Sequence, residues 1–147
     1  MDIEFFNDDC TYRFRGRRAV RRWLREVAMR ECGCRIAGIN YIFCSSERHR
    51  EMNRQFVGHD YFTDIITFDE SEPAEGYIAG EIYIDVGTVA DNARIYSQRR
   101  RTEMLRVVVH GVLHLCGQKD KSPRDNRRMH AKEDAYLALA AEMGVEL

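Results

Sequence analysis

The sequence is poor in proline and lysine and has no long apolar run. It contains 2 prolines in 147 residues, and its lysines are Lys119, Lys121 and Lys132. No apolar stretch approaches the roughly 20 residues of a membrane-spanning helix. The first residues, MDIEFFNDDC, lack the basic and apolar segments of a signal peptide. These absences argue against a membrane partner and predict a cytoplasmic protein.

Histidine and cysteine are also scarce, with five of each. Cys32 and Cys34 are one residue too close for a zinc knuckle or a redox pair. The odd number of cysteines in a chain expected in the cytoplasm predicts reduced thiols. Cys116 lies beside two histidines in the sequence, so it stays a candidate metal ligand.

Length and composition predict one globular domain over residues 1–147. This length suffices for one hydrophobic core but not comfortably for two. Apolar residues make up 44% of the chain and charged residues 32%, which is typical of a folded rather than a disordered protein.

The net charge of −1 conceals a strong preference for arginine among the basic residues. Arginines cluster at 13–30 and again at 99–101. Because the guanidinium group binds phosphate in a bidentate manner and stacks on bases, these clusters suit an RNA partner. A solvated helix face explains them equally well. The near-neutral total argues against a protein that coats nucleic acid unselectively.

Hydrophobic periodicity predicts strands and helices in alternation early in the chain and helices alone late. Val20, Trp23, Leu24 and Val27 recur at spacings of three and four, which is typical of an amphipathic helix. This order predicts an α+β fold with one small sheet. The predicted strands are 3–6, 35–45, 63–69 and 77–86, and the predicted helices are 16–32, 46–56, 87–98, 102–116 and about 123–143.

The stretch HGVLHLCGQKD, residues 110–120, has the spacing of a metal site. His110 and His114 are four residues apart, so on a helix both imidazoles face the same side. Gly117 permits a turn that returns Asp120 to that side. Two imidazoles and a carboxylate are legitimate zinc ligands, and three protein ligands leave the open position of a catalytic site. The spacing therefore predicts a metal centre on a late helix.

Other residues compete for roles at this centre. His130 and Asp125 are rival third ligands, although no spacing rule places them there. Metalloproteases with the motif H-E-x-x-H have a glutamate as general base after the first histidine, and here that residue is Gly111. Another residue must be the base, or the metal alone generates hydroxide. Glu103 lies on the same helical face, but we expect it to be an exposed charge at the helix start.

Four stretches together resemble the YbeY family of bacterial endoribonucleases and rRNA maturation factors. The residues HGVLHLCG look like the signature of that family. The similarity extends over roughly residues 36–140 of the chain. The other three stretches are MNRQFVGHDYFTDIITF (52–68), GEIYID (80–85) and MHAKED (129–134).

The resemblance implies a single α+β domain with a small mixed sheet of about four strands and surrounding helices. It implies one metal ion per chain, held by His110, His114 and Asp120. Zinc is the first expectation, and another divalent metal is the alternative. It also implies cleavage of single-stranded RNA during maturation of the small-subunit rRNA 3′ end and ribosome quality control. The implied partners are rRNA and the ribosomal small subunit or its proteins.

The chain departs from the family pattern at two positions. Asp120 replaces a third histidine, which favours oxygen-loving metals more than three imidazoles would. Val57 replaces an arginine to which the family assigns a phosphate contact. Arg54 or His59 could substitute, although both are equally well explained as exposed polar residues near a turn. Thr63 and Asp64 match the family's Thr-Asp pair, and we expect them to cap the start of a strand.

Three functions compatible with the sequence belong to different classes. The leading hypothesis is a metal-dependent endoribonuclease, with stacking of bases on Phe56 or Tyr61, although core packing is preferred for Phe56. The second is a metallopeptidase-like hydrolase of another bond, which Gly111 disfavours. The third is a ribosome-associated binding module with a structural metal, closed by a fourth ligand such as Cys116 or His130.

Overall fold

A mixed β-sheet forms the centre of the computed structural model. The structure describes residues 1–57 and 64–147, except for the side chains of residues 56 and 57. Within these residues the sheet has four strands in the order β1-β2-β4-β3. Strands β1 and β4 run parallel to β2, and β3 runs antiparallel to β4. The α+β prediction is therefore confirmed. The strands are β1 Ile3–Asp8, β2 Arg35–Cys44, β3 Ile65–Asp69 and β4 Tyr77–Asp85.

Helices surround the sheet close to their predicted positions. The predicted helix 46–56 differs, because the α-helix ends at Met52 and a π-helical turn continues over Asn53–Val57. A short 3-10 turn, Pro73–Glu75, lies in the connection between β3 and β4. The described residues form five α-helices: α1 Arg17–Cys32, α2 Ser46–Met52, α3 Val86–Ile95, α4 Arg100–Leu115 and α5 Pro123–Glu142. None of these helices is long and apolar enough to span a bilayer.

Helix α1 follows the predicted periodicity. Its apolar residues Val20, Trp23, Leu24 and Val27 are fully buried against the core. Gly33 ends the helix in the left-handed conformation, with φ of 66°, and its N–H donates to the Met29 carbonyl. The spacing of apolar residues thus determined the buried face of this helix, and Gly33 determined its end.

Helix α4 is the most buried helix and packs against the sheet at a glycine. A Cβ on Gly111 would lie 2.7 Å from Cδ1 and 3.3 Å from Cγ2 of Ile82, which is fully buried in β4. The absence of a side chain therefore permits the close approach of helix to sheet. The side of α4 that carries residue 111 faces the sheet, whereas the neighbouring His110 bonds to α5.

Asp85 connects β4 with α2 and α3. It is fully buried, and its carboxylate caps α3 by accepting from the Thr88 N–H at 3.0 Å and the Thr88 hydroxyl at 2.7 Å. The Ser46 hydroxyl of α2 donates to the same carboxylate at 2.6 Å. These bonds satisfy the buried charge and fix the start of α3 relative to the sheet.

Replacing Gly111 by alanine is expected to destabilise the protein. Alanine gains about 1 kcal/mol of helix propensity, but overpacking of a core typically costs about 1–3 kcal/mol. Because Ile82 is enclosed in the core, the overpacking should prevail and lower the free energy of unfolding in urea. Gly38→Ala is the control, since a Cβ on Gly38 would meet nothing within 4 Å. A Gly111→Ala protein as stable as the wild type would contradict the close packing.

Buried His49 is expected to make stability depend on pH. The ring is 1% exposed, and its Nε2 lies 3.0 Å from the Tyr83 carbonyl oxygen, so it donates to that oxygen. Burial lowers the pKa of His49, while the Tyr83 carbonyl and the Asp85 and Asp64 carboxylates oppose this effect. The unfolded chain therefore binds the proton more tightly than the folded chain.

It follows that the stability associated with neutral His49 is fully present above its pKa in the unfolded chain, about 6.5. This stability is lost as pH falls towards the lower pKa of His49 in the folded chain. Urea denaturation between about pH 5 and 8 should show a smaller loss of stability on acidification in His49→Gln than in the wild type. The difference between the two proteins reports on His49, because the other histidines contribute equally to both. Parallel pH profiles for the two proteins would refute this role of His49.

Candidate metal centre

The turn after α4 brings Asp120 to His110. Gly117 has φ of 101°, its N–H donates to the His114 carbonyl at 3.0 Å, and the Gln118 N–H donates to the Leu113 carbonyl at 3.0 Å. The chain thus reverses at the glycine, as the spacing predicted. As a result, Oδ2 of Asp120 lies 3.3 Å from Nε2 of His110.

His114 lies one helical turn after His110 and is exposed. Within residues 1–57 and 64–147, no three His, Cys, Asp or Glu side chains are grouped closely enough to hold a metal ion together. The structure therefore brings together the pair His110 and Asp120. The three-ligand centre with His114 stays a prediction.

Glu133 of α5 fixes the orientation of the His110 ring. The carboxylate is 5% exposed, and its Oε2 lies 2.7 Å from Nδ1 of His110. Arg106 donates to the other oxygen of Glu133 at 3.1 Å and to Asp134 at 2.6 Å. With Nδ1 bonded to Glu133, Nε2 is the ring nitrogen that faces Asp120. A carboxylate on the second nitrogen is the usual support of a metal-binding histidine.

The charges around His110 favour a cation. Burial opposes the charged form of the ring, but the Glu133 carboxylate, with Asp64 and Asp120 nearby, raises the pKa of His110 above its ordinary value. The same carboxylates attract a bound cation. Imidazole and carboxylate donors fit zinc and other divalent metals, so the chemistry of His110, His114 and Asp120 suits such an ion.

The rival ligands have other contacts. Nδ1 of His130 lies 3.3 Å from the Arg106 guanidinium and 3.5 Å from the Glu133 carboxylate, and the ring is exposed. The Sγ atom of Cys116 lies 3.2 Å from Sγ of Cys32, so this thiol is directed towards α1. Asp125 lies in the first turn of α5, where its N–H donates to the Ser122 hydroxyl. Among the described residues, none of these contacts identifies His130, Cys116 or Asp125 as a further metal ligand.

A cavity of about 390 Å³ lies beside His110, between the end of α3, α4 and α5. Six acidic or basic side chains belong to its lining, together with Tyr96 and several amide and apolar groups. The six are Asp64, Glu103, Arg106, His110, His130 and Glu133.

Glu103 corrects one expectation from the sequence. It is 7% exposed rather than an exposed charge, and it lies at the cavity formed with residues of α3 and α5. Burial raises the pKa of Glu103, an effect that the nearby Arg106 opposes. Burial likewise raises the pKa of Asp64, which His110 opposes. Two carboxyl groups with raised pKa values at one cavity are typical of a catalytic site.

Several candidate residues lie at or near the gap in the described chain. Arg54 is exposed on the π-helical turn. His59, Tyr61 and Thr63 lie outside the described residues, as do the side chains of Phe56 and Val57. Asp64, at the end of the gap, lines the cavity and accepts the Asp85 N–H through its carbonyl.

Most arginines of α1 and of the segment before it belong to one of two groups. Arg17 and Arg21 stack over the Phe5 ring and donate to backbone carbonyls, and Arg25 bonds to the Asp2 carboxylate at 2.7 Å. These three therefore support the fold. An exposed group remains for a polyanion, consisting of Arg13, Arg15, Arg18 and Arg22.

Sequence reasoning missed the roles of Glu133 and Arg106. Both act through contacts between helices that are distant in sequence, since 23 residues separate His110 from Glu133. The only signal was that MHAKED, which contains Glu133, resembled a family segment. No local spacing rule could have assigned its partner.

Comparison with known proteins agrees with this architecture. Residues 2–141 match the family described as endoribonuclease YbeY. The chain is 47% identical over 137 residues to an endoribonuclease YbeY of Cytophaga hutchinsonii, covering 93% of this chain and 94% of the relative. It is 40% identical over 146 residues to that of Porphyromonas gingivalis, covering 99% and 95%.

A solved structure is also similar. The solution structure of TM1509 from Thermotoga maritima superposes with a TM-score of 0.63 at 28% identity, covering 94% of this chain and 88% of that one. The match in sequence and in fold extends across the sheet, α4 and α5. The chain belongs to the endoribonuclease YbeY family.

Proposed function

We propose that this chain is a metal-dependent endoribonuclease that cleaves single-stranded RNA. Its role would be maturation of the small-subunit rRNA 3′ end and ribosome quality control in the cytoplasm. The observation that carries the proposal is the placement of His110 at a cavity, with Nδ1 on the Glu133 carboxylate and Nε2 facing Asp120. Membership of the endoribonuclease YbeY family supports the same reaction.

The residues that would hold the metal are His110, His114 and Asp120. One divalent ion per chain is expected, with zinc first and a more oxygen-loving metal second because Asp120 supplies a carboxylate. When bound, such an ion acts as a Lewis acid towards a phosphodiester and lowers the pKa of water.

The chain's own groups orient the site and supply protons. Glu133 holds the His110 ring, and Arg106 neutralises part of the charge on that carboxylate. Glu103 is the candidate for proton transfer, because its carboxyl group is buried at the same cavity. Arg54, on the π-helical turn, is a candidate for contact with a phosphate.

The exposed arginines of α1 and of the segment before it would bind the RNA backbone. Arg13 and Arg15 line a second depression together with Arg101 of α4. Guanidinium groups at this surface suit the phosphates of rRNA in the small ribosomal subunit.

The structure disfavours the two rival functions. The position that holds the general base in H-E-x-x-H peptidases is Gly111, which packs against Ile82 of the sheet. A side chain there would point into the core rather than towards substrate. A structural metal closed by Cys116 is disfavoured because that thiol lies against Cys32.

Replacing His114 by alanine should remove the metal and RNA cleavage while the fold is retained. The reason is that His114 is exposed on α4 and supports no core contact of the described residues. Elemental analysis, circular dichroism and cleavage of single-stranded RNA should be measured for His114→Ala, Asp120→Ala and the control His130→Ala.

The same proteins should be assayed on peptides with and without chelator. Chelator-sensitive peptide cleavage with intact RNA would show a peptidase instead. Unfolding of His114→Ala on loss of the metal would show a structural metal. Full metal content in both ligand variants would refute the assigned ligand set.

Replacing Glu133 by glutamine should weaken metal binding without removing any proposed ligand. The amide keeps an acceptor for His110 but loses the charge that supports the ring, and such changes typically cost about 10–100-fold in metal affinity. A competition titration with a zinc indicator measures this affinity. Asp134→Asn is the matched control, since Asp134 also bonds Arg106 but does not contact His110. Equal zinc affinity in Glu133→Gln and the wild type would contradict the positioning role.

A further inference from the structure

An exposed tyrosine lies at the edge of the cavity on a well-defined turn. Tyr96 follows the last residue of α3, and its N–H donates to the Asn92 carbonyl at 2.9 Å. Ser97 then adopts the left-handed conformation, with φ of 53°, and the Gln98 N–H donates to the Ala93 carbonyl at 2.8 Å. These bonds fix the backbone that carries Tyr96, so a ligand would lose little affinity in ordering it.

Among the described aromatic residues, Tyr96 has an unusually exposed ring. Tyr96 is 65% exposed and the adjacent Ile95 is 70% exposed, although α3 itself is anchored by Val89 and Ala93 in the core. An aromatic ring that is exposed beside a polar cavity offers a flat apolar surface to a ligand. Tyr96 contributes to the lining of the same cavity as His110.

The chemistry around Tyr96 favours a nucleobase over a phosphate. Asn92, Gln98 and Asn126 line the cavity together with the ring, and each amide offers both a donor and an acceptor. Neither the tyrosine ring nor these amides carry a charge, so this part of the lining offers a phosphate no cationic partner of its own. A base carries a π-face for the ring and a hydrogen-bonding edge for the amides, and it carries no charge.

We propose that Tyr96 is a stacking platform for one unpaired base of the RNA substrate, with the edge of that base directed towards the amides of Asn92, Gln98 and Asn126. The inference rests on the proposed function and specifies the part of the substrate that the site recognises. It assigns the stacking role to the residue directly after α3, whereas the sequence had suggested Phe56 or Tyr61.

Removal of the ring should weaken binding of single-stranded RNA. Stacking of a base on an aromatic side chain typically strengthens binding by roughly 5- to 150-fold. Tyr96→Ala should lose affinity in this range, whereas Tyr96→Phe should retain it. The probe is a short RNA strand containing 2-aminopurine, whose fluorescence falls when the base stacks, in a buffer with chelator so that the strand remains intact.

Two controls separate stacking from general effects. Phe6→Ala removes an aromatic ring that is 49% exposed on β1, the strand at the opposite edge of the sheet from β3, and should leave affinity unchanged. The same RNA annealed to its complement should bind Tyr96→Ala and wild type equally, because its bases are already stacked. Circular dichroism of each variant verifies the fold.

A double-mutant cycle then identifies the stacked base. An abasic site introduced at successive positions of the strand should, at one position, weaken binding to the wild type but not to Tyr96→Ala. Additive effects at every position, or equal affinity of Tyr96→Ala and wild type, would overturn the stacking role while leaving RNA cleavage intact. A wild-type protein that neither binds nor cleaves RNA, with metal or without, would instead overturn the proposed function itself.

Discussion

The close packing of α4 against β4 is the constraint on which the rest of the structure depends. At Gly111 the helix has no side chain, so it approaches Ile82 closely, and Val108, Val109 and Val112 of the same helix are fully buried. Once α4 is seated in this way, its remaining sides meet α1, α3 and α5. His110 then faces α5, where Glu133 accepts its hydrogen bond. The residue that is the catalytic glutamate in H-E-x-x-H peptidases is thus a glycine packed against the sheet in this chain.

The charged groups near this helix form one connected network rather than separate pairs. Arg106 bonds to Glu133 and Asp134, and Glu133 bonds to His110, which faces Asp120. Because Arg106 and Glu133 are largely buried, the charges compensate each other at low dielectric, where an unpaired group would be costly. This arrangement holds the ring in one orientation and leaves Nε2 directed to the turn after α4.

The fold could be predicted from sequence because its elements follow local rules. The spacing of Val20, Trp23 and Val27 determined α1, and Gly117 gave the turn that returns Asp120. The π-helical turn after Met52 was missed, since no propensity distinguishes it from a continued α-helix. The burial of Glu103 was also missed, because it results from elements that are distant in sequence. The pairing of His110 with Glu133 and the position of Tyr96 at the cavity were not predicted either, because both result from the packing of α3, α4 and α5.

Helix α5 is bonded to the rest of the domain on two sides. Towards α1, the Trp23 indole donates to the Tyr136 carbonyl at 2.8 Å, and Glu31 bonds both Lys132 and the Tyr136 hydroxyl. Towards α4, Glu133 is tied to Arg106 and His110. Asp120 lies in the connection just before α5. In the proposed centre, an ion shared by His110 and Asp120 would join α4 to this connection, and metal binding would then stabilise the carboxyl-terminal part of the chain against heat and proteolysis.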